Sequence, residues 1–496
     1  MNHVVQAVLR SWSIPPAATL VLVLTALTYL RGAWLLRRAG YPYLPAWRIG
    51  SFALGLFTLW FALASPLDTF SPFVLTAHML QHMALMMVAP PLILLGEPLI
   101  PIVRGMPRFA AREFAGPFLN WPLAARIGLA LTNPVTALVL MGVVMFAWHV
   151  PGPYELALRS SAWHNTEHAC FFFTSIIFWW PVVQPWPSHP QWPRWAMVPY
   201  LVIADLQNTV LSAILVFSDK TLYPSYAAGP SLFGFTPQED QAAAGAIMWV
   251  FGSVAFIVPA ILIAVQCLSR QRAEYVAPSP PQPEPSIAGP LPLPATQRTP
   301  LSSLFGVRAS SRSFEVASFL ALFVLVAVAF AVFSRNSSDD DDQVLRLAQP
   351  SGSFAIAIYG PAGEMPAGPA SFAVLVQDRS THEILLDSDV QLFLRNANGT
   401  DGASGPVHAL RDDENKLLAT ADLDIDVPGS RVVEINVHRG SESAVLKMPV
   451  EVVKADSAVT LPWSDIVILA FAGLLCVTYF WRHRSRASAR LVAPMA

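Results

Sequence analysis

Runs of about twenty mostly apolar residues recur near 17–36, 47–65, 73–95, 132–150, 163–183, 196–217 and 241–267. Each has the length a helix needs to cross a bilayer. Two further runs, at 314–334 and 464–481, lie far downstream with a long polar stretch between them. Within that stretch the pattern changes. "FAIAIYG", "SFAVLVQD", "DVQLFLRN", "ATADLDIDV", "RVVEINVHRG" and "AVLKMPVEVV" are short, partly alternating apolar runs split by Gly, Pro, Asn and Asp, the signature of an all-β sandwich. The expected fold class is mainly α, a polytopic transmembrane bundle of seven spans plus two more, with a β-sandwich attached. The expected units are a seven-span region over 1–270, a linker over 271–313, the eighth span, a sandwich over 350–455, the ninth span, and a basic tail over 482–496.

The linker contains "APSPPQPEPSIAGPLPLPATQRTP", too rich in proline and too poor in apolar periodicity to fold, which reads as an extended tether. Composition agrees with a membrane protein: 54% of the 496 residues are hydrophobic and only 13% are charged. A net charge of −2, with no basic cluster interleaved with aromatics, excludes a nucleic-acid surface. The first apolar run lacks a small-residue cleavage site after it and reads as a retained span. Three scattered cysteines, Cys170, Cys267 and Cys476, form neither a disulfide framework nor a thiolate clamp.

Arginine placement sets an expected orientation. Arg31, Arg37, Arg38 and Arg48 follow the first span, Arg104, Arg108, Arg112 and Arg126 the third, and Arg270, Arg272, Arg298, Arg308 and Arg312 the seventh. Loops so enriched face the cytoplasm. The alternate loops carry at most a single basic residue, such as Arg159 or Lys220. The N-terminus and residues 335–463 are therefore expected outside a bacterial inner membrane, and "RHRSRASAR" after the ninth span inside it. The run "SSDDDD" at the entry to the outer region reads as a solvated tether.

Five histidines fall in or at the ends of these runs: His78 and His82 in the third, His149 ending the fourth, and His164 and His168 opening the fifth. With alternating spans, all five come to the same membrane face. "HMLQH" and "HNTEH" each put two imidazoles on one helix face, one turn apart. Single histidines in spans commonly bond only to neighbouring helices. Two such pairs with a fifth imidazole between them instead suggest a nitrogen-rich metal site, and imidazole suits Cu, Zn, Fe and Ni. Met79, Met83, Met86 and Met87, at i, i+4, i+7 and i+8, form a stripe beside the histidine face; thioethers favour Cu(I), although methionine also simply fills apolar gaps. Asp68, Glu167 and Asp240 could orient ligating imidazoles or cap helices. Asp205, deep in the sixth run with Gln207 and Asn208 nearby, is an intramembrane acid that invites a functional reading, with an interhelical hydrogen bond as its alternative.

The stretches "HMLQHMALMMVAPPLILLGEP", "WHVPGPYELALRSSAWHNTEHACFFFTSIIFWWPVV" and "EDQAAAGAIMW" resemble the core of the CtaG family, seven-span bacterial assembly factors of caa-type cytochrome c oxidase, over about residues 15–270. The resemblance implies a role in maturing the copper-containing oxidase, with oxidase subunits and a copper chaperone as partners, membrane lipid around the spans, and copper as the group handled. Carried over by position, it points to His78, Gln81, His82, His149, His164, Glu167, His168, Asp240, Gln241 and Met248. More weakly, "HEILLDSDVQLFL" and "LLATADLDIDVPGSRVVEINV" resemble YtkA-like sandwich modules, where His382, His408 and His438 with Met365 and Met448 are further candidate ligands or plain surface residues.

No nucleophile triad, phosphate loop or HExxH motif points to an enzyme. The competing expectations are an inward copper transporter using Asp205 and the methionine stripe, a haem-binding electron carrier, and a docking scaffold that binds no metal.

Overall fold

The computed structural model describes residues 3–40, 44–111, 122–186, 188, 190–229, 232–276, 343–361, 365–396 and 406–454. The eighth and ninth spans, the basic tail and most of the linker lie outside them.

A short helix α1 (His3–Arg10) precedes α2 (Pro16–Arg38), α3 (Ala46–Ala64), α4 (Pro66–Phe70) and α5 (Leu75–Leu95). Then follow α6 (Leu99–Gly105), α7 (Pro122–Leu131), α8 (Pro134–His149), α9 (Pro151–Arg159), α10 (Ser161–Val183), α11 (Met197–Phe217), α12 (Pro224–Ala228) and α13 (Pro237–Val276). Proline opens α2, α4, α8, α9 and α12, where a missing N–H costs nothing. Helix α13 runs on to Val276, into the stretch expected to be linker, because the Pro-rich composition begins only after it.

Among the described residues five helical segments are long and apolar enough to cross a membrane: 16–38, 46–70, 75–95, 194–217 and 237–269. The pair α8 and α9, bent by 71° at its break, would make a sixth if taken as one span. The expected count of seven is not reached by that measure. Helix α10 is 23 residues long, but its first turns carry His164, Asn165, Glu167 and His168 and dilute its apolar character.

Close backbone contact holds the bundle. Gly32 of α2 and Gly105 of α6 face each other so tightly that a Cβ on either would overlap the other helix's backbone. In the pair α11 and α13, Asn208 Nδ2 donates to the Met248 carbonyl at 3.0 Å, in a gap left by Gly252. The span α5 contains a π-helical turn at Ala84–Val88. Pro90 has no N–H to give the carbonyl four residues back, that of Met86. Trp179 Nε1 of α10 donates to that carbonyl instead, at 3.0 Å.

The C-terminal strands are β1 (Gln343–Ser351), β2 (Phe354–Pro361), β3 (Met365–Pro366), β4 (Gly368–Asp378), β5 (Asp389–Asn396), β6 (Val407–His408), β7 (Leu410–Arg411), β8 (Ala419–Ile425), β9 (Gly429–Arg439) and β10 (Glu442–Val453). They form two five-stranded sheets, ordered β1-β2-β4-β8-β7 and β3-β10-β9-β5-β6. The domain starts at Gln343, not 350: "QVLRLAQPS" has too little alternation to read as a strand, and its pairing with β2 creates it.

The two sheets differ in what covers them. In β10 buried and exposed positions alternate, so that sheet has one face in the core and one outside. In β2 and β4, by contrast, nearly every residue is buried. Ile356, Ile358, Phe372, Val374 and Val376 fill the space between the sheets. Their neighbours Ala357, Tyr359, Ala373 and Leu375 point the other way and pack with Phe70, Phe73, Val74 and Leu232 of the helical region. The Tyr359 ring meets Phe73 edge to face at 5.1 Å between centroids, and the Lys416 amide donates to Ser11 Oγ at 3.0 Å. The sandwich therefore sits on the bundle end that carries α4, α9 and α12.

Leu375 is 1% exposed yet belongs to this docking face, not to the sandwich interior. Leu375→Asp should undock the domain without unfolding it, because an unpaired buried charge costs several kcal/mol. Hydrogen exchange of the full-length protein in detergent checks this: protection should fall on the Phe73 and Leu417 segments and persist in β9 and β10.

Candidate metal centre

Three local devices fix the heights of the histidines. The Asp240 carboxylate, in the first turn of α13, accepts from the Leu75 amide at 2.7 Å and the Thr76 amide at 3.1 Å, capping α5 from outside its own chain segment. His78 and His82 follow one and two turns further in. Pro151 excludes helical geometry at Val150, which is extended, and so ends α8 at His149. Ser160 is likewise extended and starts α10, which puts His164 and His168 in its first two turns.

The result is one buried group. His78, His82 and His168 are 0–1% exposed and His149 8%. Ring centroids lie 4.2 Å apart for His78 and His82, 4.1 Å for His164 and His168, 5.2 Å for His78 and His164, and 5.4 Å for His82 and His168. His149 is more distant, 6.4 Å from His82. Glu167, fully buried, lies among them, with its carboxylate 3.6 Å from His78 Nε2, 3.9 Å from His82 Nε2 and 3.9 Å from His164 Nδ1. These separations exceed a hydrogen bond.

Many of the group's polar atoms consequently have no hydrogen-bond partner: His78 Nε2, both nitrogens of His82 and His168, His149 Nε2 and both Glu167 oxygens. Such atoms are rare in folded proteins, where strain, a functional role or an ordered water or ion accounts for them. Three overlapping sets bring ligand atoms within 4.8 Å of one another: His78, His82 and His168; His78, His164 and Glu167; Asp68, His164 and His168.

The outer side of the group sets tautomers. His149 Nδ1 lies 2.7 Å from the Met145 carbonyl, which can only accept, so Nδ1 carries the proton and the Nε2 lone pair is free. Tyr226 does the same for His78. Its hydroxyl donates to the Ser71 carbonyl at 2.7 Å, leaving it to accept from Tyr154 at 3.2 Å and from His78 Nδ1 at 3.4 Å. Burial pushes the Tyr226 hydroxyl well above its usual range, so it stays a donor to Ser71. Tyr223 stacks on Tyr154 at 3.9 Å and donates to the His149 carbonyl at 3.1 Å. These three tyrosines were not singled out from the sequence. The signal for Tyr223 and Tyr226 was "YPSYAAGP" and for Tyr154 "PGPYELALR", whose aromatics read equally well as an interfacial belt.

The other expected residues have separate places. Asp68 accepts from Gln81 Nε2 at 2.6 Å, while that nitrogen also donates to the Ala62 carbonyl at 2.9 Å. Asp240 is a helix cap, as above. Asp205 accepts from Ser253 Oγ at 2.8 Å, a bond between α11 and α13. Met79, Met83, Met86 and Met87 are all buried in the apolar core of the bundle. In the sandwich, Met365 and Met448 lie inside the core, whereas His382, His408 and His438 are exposed, so these five do not gather into one site.

Residues 27–270 match the family model of the cytochrome c oxidase caa3 assembly factor, Caa3_CtaG. The membrane half of this chain belongs to that family. It contains the whole histidine group. The chain is 22% identical over 247 residues to an uncharacterised protein of Mycobacterium leprae, covering 49% of this chain and 37% of the relative. It is 24% identical over 263 residues to uncharacterised proteins of Mycobacterium bovis and Mycobacterium tuberculosis, covering 50% of this chain and 38% of each. The chain thus aligns with less than two fifths of those relatives. No solved structure matches.

Tyr226→Phe removes the donor to Ser71 and the acceptor for His78 and Tyr154. A lost buried partner costs about 1–3 kcal/mol, which thermal unfolding of the detergent-solubilised protein should register as a lower Tm; Tyr223→Phe, with a single bond to lose, should fall less.

Proposed function

We propose that this protein is a non-catalytic assembly factor for a copper-containing cytochrome c oxidase and that its buried histidine group holds Cu(I) for the oxidase. The assembly role follows from the family of the membrane half. The metal reading rests on one observation: buried imidazole nitrogens and a carboxylate, most of them without a hydrogen-bond partner in the protein, converge from α5 and α10 to within 4.8 Å. Orphaned buried atoms of this kind are destabilising on their own, and an ion would satisfy several at once. Imidazole suits copper as it suits zinc, iron and nickel, and the oxidase named by the family is the reason to choose copper among them. His78, His82 and His168 would be the innermost ligands, with Glu167 balancing charge.

In this reading the protein is a multi-pass protein of the bacterial inner membrane, with seven spans in its first half and the histidine end and sandwich outside. The arginine distribution supports that orientation. Its partners are oxidase subunits that accept the metal and a copper chaperone that supplies it. The bond from Ser253 accounts for Asp205 without a transport path. A haem between the imidazoles is disfavoured, because the rings stand too close for a porphyrin to enter.

Purified protein loaded with Cu(I) under reducing conditions should retain copper stoichiometrically. His78→Ala/His82→Ala and His164→Ala/His168→Ala should each lose it while remaining folded by circular dichroism. Equal binding in all three, or none in any, would make the group structural and the docking scaffold the better reading. Asp205→Asn should leave copper binding and oxidase maturation unchanged; a loss of cellular copper uptake in that variant would favour the transporter.

A further inference from the structure

The histidine group is buried, so an ion needs a way in, and a cavity supplies one. About 320 Å³ of space lies between the bundle and the sandwich. Its floor includes Asp68, His164 and Asn165, its wall Ser160, and its roof Gln343 and Glu414 of the sandwich. We propose that this cavity is the port through which the metal reaches the histidine group, roofed by the sandwich, and that the overlapping donor sets are the ladder down which it passes. The inference rests on the copper reading above and adds its route.

The sets are ordered by depth. Asp68 and His164 line the cavity and share a set with His168. His164 then shares a second set with His78 and Glu167, and His78 and His168 share a third with His82. Only the first two sets contain a cavity-lining residue. Exposure separates the mouth from the interior: the His164 side chain is 17% exposed, while those of His78, Glu167 and His82 are 0–1% exposed. Every set keeps at least one ligand of another. An ion can therefore exchange one donor at a time and is never bare in an apolar interior, where a naked charge is costly. No bond other than metal–ligand bonds forms or breaks, and the charge of the ion is unchanged.

The donor chemistry changes at the last step. The two sets that reach the cavity each combine one carboxylate, Asp68 or Glu167, with two imidazoles, whereas the deepest is all imidazole. Glu414 adds a carboxylate to the cavity lining, and the guanidinium of Arg159, also in the lining, is paired with Glu155. Carboxylate oxygen thus gives way to imidazole nitrogen, which suits copper better. The roof is held in place by the docking face of Tyr359 and Leu375, so the domain that covers the port is fixed to the bundle by packing separate from the port itself.

The test uses the full chain in detergent with Cys170, Cys267 and Cys476 replaced by Ser. Ser160→Cys places a thiol in the cavity wall, and Glu414→Cys places one on the roof, where a label cannot disturb the helices. Each is capped either with a methylthio group or with a bulky maleimide, and uptake of Cu(I) from its bicinchoninate complex is followed by stopped-flow absorbance. The bulky cap should slow loading at least tenfold in both variants, with the final stoichiometry unchanged and the methylthio forms loading like the uncapped parent. Full-speed loading with a bulky cap in either variant overturns the port, while the metal site itself stands if stoichiometry is kept. If even the methylthio forms and their parent bind no copper, the metal reading falls and the port falls with it.

Discussion

Everything at the sandwich end of the bundle is arranged around one energetic liability. Four imidazoles and a carboxylate sit together in an apolar helix bundle with most of their polar atoms unbonded. Each such atom costs on the order of 1–3 kcal/mol when left unsatisfied, so the group is destabilising in isolation. The surrounding chain spends its fixed hydrogen bonds on keeping it in place. Asp240 caps the helix that carries His78 and His82, and Tyr226 and the Met145 carbonyl fix the protonated nitrogens of His78 and His149. The bonds stop at the outer nitrogens and leave the inner lone pairs bare. A purely structural cluster would be expected to pair its imidazoles with Glu167; here every contact to that carboxylate stretches to 3.6–3.9 Å.

The helices that bring the donors together owe their positions to elements remote from the site. The π-helical turn in α5 rotates the deeper part of that helix relative to its first two turns, and its cause is the Pro90–Pro91 pair below the histidines. Trp179, about three turns along α10 from Glu167, accepts the consequence by bonding the carbonyl that Pro90 leaves free. The same two helices that carry the histidine pairs are therefore locked to each other again beyond the histidines. Two points of attachment fix both separation and rotation, which a site built from facing imidazoles requires.

Much of this was legible in the sequence, and the reasons differ by element. The apolar runs of the first half gave helix positions within a few residues, apart from the end of the seventh, which runs on to Val276, because twenty-residue hydrophobic stretches have few other uses. The HxxxH pairs gave faces, because 3.6-residue periodicity is local. The alternation of spans then brought the five histidines to one end, as their common group reflects. What stayed hidden was non-local. Asp240 caps a helix 165 positions away, and no pattern near it names that partner. Tyr226 lies in a loop whose composition suits an interfacial belt as well as a hydrogen-bond hub. β1 becomes a strand through pairing with β2, since its own residues do not alternate. For Asp205, the intramembrane acid, the structure has a simple interhelical hydrogen bond, the alternative that its polar neighbours already suggested.

One signal was present and carried more than a strand assignment. "FAIAIYG" and "SFAVLVQD" are nearly continuous apolar runs, whereas "AVLKMPVEVV" alternates. A sheet with one wet face alternates; a sheet covered on both faces does not. The first two strands therefore already implied a second apolar partner besides the other sheet, and the helical region supplies it through Phe70, Phe73 and Leu232. That partnership changes the site's physics. Beneath the sandwich, Asp68 and His164 line a partly covered cavity whose roof carries a carboxylate. A cover that displaces water from a donor set and brings a carboxylate to it strengthens that set's electrostatic hold on a cation. On the proposed copper reading the cover would contribute to the affinity, so the sandwich and the histidine-bearing bundle would act as one centre although only the bundle carries the family's match.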